Sequence, residues 1–256
     1  MSAVLRATKG TVSVGEAAAV LGLPRPATAK LLARWAKSGW LSRVQRGLYV
    51  PVALESRSAD MPVEDAWVIA EKLFAPCYIG GWCAAEYWDL TEQMFRTVLV
   101  MSTKRPRQRK LSLKGTDFLV KTIPDTALFG LQAVWRGQVK VSVSDATRTV
   151  LDMLADPQVG GGLRSTVDMF RNYLDSDKKA LDLLIQYGVR FGNGAVFKRL
   201  GFLLELYAPE ELDIMTQCRE RLTAGNTKLD PASNTEKLIT RWRLWVPERW
   251  ANLTGG

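Results

Sequence analysis

A chain of 256 residues, 47% hydrophobic and 24% charged, has room for two domains and a sizeable core. It contains no histidine, which excludes hydrolase triads with an imidazole base, imidazole zinc sites and histidine acid–base catalysis. The net charge of +9 is unevenly spread: residues 1–60 carry nine Lys/Arg against Glu16, Glu55 and Asp60, whereas residues 125–256 carry seventeen against sixteen.

A basic segment on a near-neutral body is the electrostatic footprint of a nucleic-acid binder, because phosphate neutralisation supplies most non-specific affinity. No apolar run approaches the roughly eighteen residues that span a bilayer, and MSAVLRATKG lacks the apolar centre of a secretory signal. Cys77, Cys83 and Cys218 form no CxxC pair, and their odd number argues against a disulfide framework. These features predict a cytoplasmic protein with buried, reduced thiols.

In the first sixty residues, Ser13 is placed to cap an alanine-rich helix over Val14–Leu21. Gly22 ends it, and Leu23-Pro24-Arg25-Pro26 turns into a second helix over about 27–38. Helix, glycine-containing turn and helix is the spacing of a helix-turn-helix. On the second helix, Thr28, Leu32 and Trp35 repeat at core spacing, while Ala27, Lys30, Arg34 and Lys37 lie on another face. That helix has no acidic residue, which a merely solvated face would ordinarily include. Residues 40–50 read as a β-hairpin, the wing of a winged module, with Arg43 and Arg46 in reach of phosphate or the minor groove. Trp35, Trp40 and Tyr49 are expected in its core.

A polar linker (51–62) leads to a helix over about 63–73, then to the helix-like segment Trp82–Trp88. Thr97–Met101, Asp117–Lys121 and Val139–Val143 read as strands. Between the first two lies a loop with five cations and no acid: Lys104, Arg105, Arg107, Arg109 and Lys110. Charge runs are usually solvated, yet such crowding is relieved by an anion, which makes the loop a candidate second basic patch. The alternatives at this point are DNA backbone, an RNA- or phosphate-bearing partner, or an acidic protein surface.

Beyond residue 144, Ser144-Asp145 caps a helix to about Leu154, with Val150, Leu151 and Leu154 inward. Asp145, Arg148 and Asp152 could pass for a catalytic group, but their simpler reading is an N-cap with an ion pair on the helix surface. Gly160-Gly161-Gly162 lacks the GxxxxGK[ST] of a phosphate loop and reads as a flexible connection. Further helices are expected over about 163–174, 180–187, 195–207 and 209–222. The Trp- and Arg-rich tail 241–250 suits nucleotide stacking, but a docked, half-buried edge is the reading preferred.

In order and spacing, RVQRGLYVPV (43–52), YIGGWCAAEYW (78–88), VSDATRTVLDML (143–154) and GNGAVFKRLGFLLE (192–205) resemble the AbiEi family of type IV antitoxins. The resemblance implies a winged domain that represses its own operon by binding inverted repeats in double-stranded DNA. It also implies a remainder that counters a nucleotidyltransferase-like toxin of an abortive-infection system. Carried onto this chain, the DNA contacts would be Arg25, Thr28, Lys30 and Arg34 on the second helix, with Arg43 and Arg46 on the wing. No toxin-contacting motif transfers.

The expected fold is α+β. A winged helix-turn-helix over 1–60 precedes a mixed α/β domain over 61–256, with a small sheet at about 78–143, helices over 144–223 and an extended tail over 224–256. No catalytic residue, metal, cofactor or membrane partner is expected. Two alternatives stay open: a stand-alone winged-helix regulator, and an enzyme built on Asp145, Asp152, Lys198 and the cationic loop.

Overall fold

The computed structural model describes residues 1–8, 11–51, 65–106, 108–113, 115–234 and 237–254; most of the expected linker lies outside them. The described residues fall into two compact units. One comprises residues 1–79, 96–123 and 133–142, and the other 80–95, 124–132 and 143–256.

The first unit begins with α1 (Ser2–Ala7), β1 (Val12–Ser13), α2 (Val14–Leu21) and α3 (Arg25–Lys37), followed by β2 (Leu41–Gln45) and β3 (Leu48–Pro51). Helix α2 has the predicted bounds, and a capping box sets its start. The Ser13 hydroxyl accepts from the Glu16 amide at 3.2 Å, and the Glu16 carboxylate accepts from the Ser13 amide at 3.1 Å. Gly22 ends the helix at φ +64°, a left-handed conformation that costs a glycine nothing. Helix α3 starts two residues before the predicted position, because Pro24 is its N-cap and Pro26 sits in its first turn. The three short strands order as β1-β3-β2. Their core gathers Val4, Val12, Ala17, Leu32, Leu41 and Tyr49, with Trp35 packed against it. Trp40 departs from expectation: it is 47% exposed, lying beyond the end of α3 and outside the core cluster of the described residues. The sequence reading did not foresee α1.

The same unit continues with α4 (Ala66–Phe74), β4 (Cys77–Ile79), β5 (Thr97–Ser102), β6 (Lys110–Leu113), β7 (Thr116–Thr122) and the greater part of β8 (Leu131–Arg136) and β9 (Val139–Ser144). The six strands order as β6-β7-β5-β4-β9-β8. Central β5 pairs parallel with β7 and antiparallel with β4, and its residues from Val98 to Ser102 are all buried. Helix α4 buries Val68, Ile69, Ala70 and Phe74, with Phe74 6.0 Å from the Phe118 ring. Strands β6 and β8, both at sheet edges, were not anticipated.

The second unit holds α5 (Gly81–Tyr87), α6 (Ala146–Ala155), α7 (Leu163–Asp175), α8 (Leu181–Phe191), α9 (Gly194–Tyr207) and α10 (Leu212–Glu220). Its last part is β10 (Thr227–Lys228), β11 (Lys237–Ile239), β12 (Leu244–Val246) and α11 (Glu248–Ala251). Helix α6 packs against α5, α7, α8 and α9 and is buried from Ala146 to Leu154. A helix enclosed all round needs no polar face, and that corrects the ion-pair reading. Asp145 is the expected N-cap, but Arg148 and Asp152, 3.0 Å apart, are 0% and 3% exposed instead of lying on the surface. The connection expected over Gly160–Gly162 is closely packed at its first glycine. Pro157–Gly160 forms a 3-10 turn, and a Cβ on Gly160 would meet the Thr166 hydroxyl at 2.2 Å. The tail is docked, as expected: β10-β12-β11 form a small sheet that buries Trp242 and Trp250.

Cys77, Cys83 and Cys218 are buried thiols outside any disulfide. Burial pushes Cys77 and Cys218 up to about 12, so they behave as small apolar side chains. Among the described residues, no helix is long and apolar enough to cross a membrane.

Candidate nucleic-acid interface

Helix α3 presents Arg25, Lys30, Arg34 and Lys37 to solvent, while Thr28 and Leu32 are buried. Lys30, Arg34 and Lys37 are spaced i, i+4, i+7 and so share one face over two turns. Lys37, which the family resemblance did not single out, extends that stripe. Arg34 and Lys37 complement the negative end of the helix dipole. Arg25, in the first turn, does the reverse: a cation at a helix N-terminus costs about 0.3–1 kcal/mol at low salt. An anion held by that cation and the exposed first-turn amides would remove the cost. The Arg25 guanidinium reaches back to α2, where a Cβ on Gly15 would stand 3.6 Å from its Nη2.

Thr28 has to be removed from the contact set. It is fully buried, and its hydroxyl donates to the Pro24 carbonyl at 3.1 Å, closing the first turn of α3. Core spacing placed it correctly, and the residue carried over from the resemblance does not fit.

Arg43 and Arg46 are exposed on the hairpin. A register shift between Arg43 and Gln45 marks a β-bulge, a device that bends a strand and re-aims its side chains. Gly47 turns the hairpin at φ +84°, and its carbonyl accepts from the Val14 amide at 3.0 Å, tying the turn to the start of α2. Helix and hairpin are therefore held in one piece by backbone bonds and a shared core. Lys72 of α4 pairs with Glu16 at 2.8 Å. Burial pulls the Glu16 carboxyl upward, but hydrogen bonds from Lys72 and Ser13 outweigh it and hold the group below its ordinary value.

In the candidate second patch, Lys104, Arg105, Arg109 and Lys110 are all exposed, and Lys110 opens β6; Arg107 lies outside the described residues. The patch belongs to the first unit, along with α3 and the hairpin. That grouping sharpens the charge distribution. The first unit carries twenty Lys/Arg against seven Asp/Glu, and the second fifteen against nineteen.

The comparisons bear on the segment that carries α3 and the hairpin. Residues 1–52 match the transcriptional-regulator family of AbiEi antitoxins. The AbiEi-like segment thus ends one residue after β3, and it contains every described cation of α3 and the hairpin. No curated protein matches the chain. In fold, the chain is similar to the RV2827C protein from Mycobacterium tuberculosis, with a TM-score of 0.60 at 16% identity over 98% of this chain and 91% of that one. At that identity the likeness is one of architecture.

Proposed function

We propose that the chain is the antitoxin of a type IV toxin–antitoxin system and acts by binding, without turnover. Its N-terminal segment acts as a winged helix-turn-helix that occupies inverted repeats in its own promoter and represses transcription in the cytoplasm. The rest of the chain counters a nucleotidyltransferase-like toxin. The observation carrying this reading is the exposed, acid-free cationic face of α3 inside the segment that matches the AbiEi regulators. Arg25, Lys30 and Arg34 would meet the major groove, and Arg43 and Arg46 the phosphates or minor groove beside it.

The enzyme alternative finds little support in its own candidate groups. Asp145 accepts from the Arg148 amide and from the Tyr187 hydroxyl, at 2.7 and 2.9 Å. Asp152 pairs with Arg148 at 3.0 Å. The Lys198 ammonium donates to the Gly225 carbonyl at 2.7 Å. Each is committed to holding the fold.

The test is binding to duplex DNA from upstream of the chain's own gene, followed by fluorescence anisotropy. Arg34→Ala or Lys30→Ala should lose ~1–3 kcal/mol where the residue reads a base. Equal binding by Arg34→Ala and wild type would overturn the assignment of α3. An adjacent gene encoding a nucleotidyltransferase supports the antitoxin role over that of a stand-alone regulator.

A further inference from the structure

The cations after β5 form a surface of their own. Both ends of the loop are pinned to the sheet. The Thr103 amide donates to the Pro76 carbonyl at 3.1 Å, the Lys104 amide to the Ser102 hydroxyl at 3.1 Å, and the Val120 amide to the Arg109 carbonyl at 2.8 Å. Lys110 then enters β6, in register with Leu119. Among the described residues, none of Lys104, Arg105, Arg109 and Lys110 takes part in an ion pair, whereas Lys72 and Arg136 of the same unit do. The acid on the neighbouring strand, Asp117, stands opposite Ser112. Four positive charges on a short, anchored segment repel one another, and none of them is held in an ion pair within the described residues.

The four side chains are exposed along a loop and a strand edge, an extended arrangement that suits an extended anion better than one small phosphate. They lie in the unit with twenty cations against seven acids, which also carries α3. We propose that Lys104, Arg105, Arg109 and Lys110 grip the phosphate backbone of the duplex that α3 reads, as a second contact independent of base sequence. This rests on the DNA-binding reading above. Flexible cations on phosphate set position and affinity, and sequence is read elsewhere.

The experiment compares wild type, the fourfold K104A/R105A/R109A/K110A variant and Arg34→Ala on two duplexes of equal length, one from upstream of the gene and one unrelated. Affinities are measured between 50 and 200 mM salt, with circular dichroism confirming an unchanged fold. Each phosphate contact contributes about 0.9 to the slope of log affinity against log salt. The fourfold variant should therefore show a slope shallower by about 3–4 and bind both duplexes more weakly by the same factor. Over that salt range, wild-type affinity should fall roughly 100-fold more than the variant's. An unchanged slope in the fourfold variant, with Arg34→Ala impaired, overturns the second contact and leaves the reading of α3 standing. A shallower slope with Arg34→Ala unimpaired supports the second contact and overturns that reading. Failure of wild type to bind either duplex at 50 mM salt overturns both.

Discussion

Arg148 is the side chain whose environment differs most from what its position along the helix suggests. Its Nε lies 3.0 Å from Asp152, its Nη1 donates to the carbonyls of Ala127 and Phe129 at 2.8 and 3.0 Å, and its guanidinium covers the Phe129 and Phe191 rings. A buried pair gains little net stability, since desolvation offsets the attraction, but removing one partner leaves an uncompensated charge. Arg148→Ala should therefore destabilise the protein by ~3–5 kcal/mol in urea unfolding. The double change R148M/D152N, which removes both charges with little change in volume, should cost less than Arg148→Ala alone. A larger loss in the double variant would show that the uncompensated Asp152 charge is not what makes Arg148→Ala costly. At the interface the decisive residues behave differently, because Lys30 and Arg34 do their proposed work where solvent screens them and contribute to affinity instead of stability.

Among the elements, α9 organises the C-terminal tail. Arg199 on its inner side donates to the carbonyls of Leu154, Ala155, Lys228 and Leu229, so one guanidinium joins α6 to the strand after the last long helix. Gly201 makes room for Trp242: a Cβ there would stand 2.1 Å from the indole ring. Gly201→Ala should cost about 1–3 kcal/mol by overpacking and shift tryptophan emission to the red as Trp242 leaves its slot. An unshifted spectrum at wild-type stability would mean that the tail can move aside. Glu205, one turn on, accepts from Arg241 and from the Trp242 indole. Burial tends to raise its carboxyl, but those bonds and the Arg241 charge bring it below the ordinary value of 4.5. A depressed folded value stabilises fully above the unfolded one and is lost as pH falls through the folded one. The acid limb of the stability profile below pH 4.5 should thus flatten in Glu205→Gln, checked by urea midpoints across that range.

For the whole molecule, charge follows the tertiary units more closely than chain order. Segments 96–123 and 133–142 join residues 1–79 in the first unit, leaving the second with fifteen cations against nineteen acids. Four phosphates neutralised by the N-terminal module alone would give a salt slope of about −3.6. With the β5–β6 connection engaged as well, the slope for the intact chain should approach −7. Titrations at several salt concentrations decide between the two values.

Local chemistry made the candidate site legible. Ser13 and Glu16 at capping-box spacing, Gly22 after α2, prolines at the start of α3 and Gly47 in the hairpin act within a few residues of themselves, so α2, α3 and the hairpin could be placed from sequence. The exposure of Lys30 and Arg34 followed from helical periodicity, which also placed Thr28 inside where the resemblance had it outside, and Arg43 and Arg46 were placed by the hairpin reading. Other features depended on what the chain brings alongside from far away. Strand β6 exists through its register with β7, Arg148 and Asp152 are buried because four other helices surround α6, and Trp40 lies outside the core cluster of the described residues. Capping, turn formation and side-chain spacing are short-range and can be read along the chain. Burial, edge pairing and the segregation of charge arise from contacts between distant segments, and the folded arrangement alone sets them.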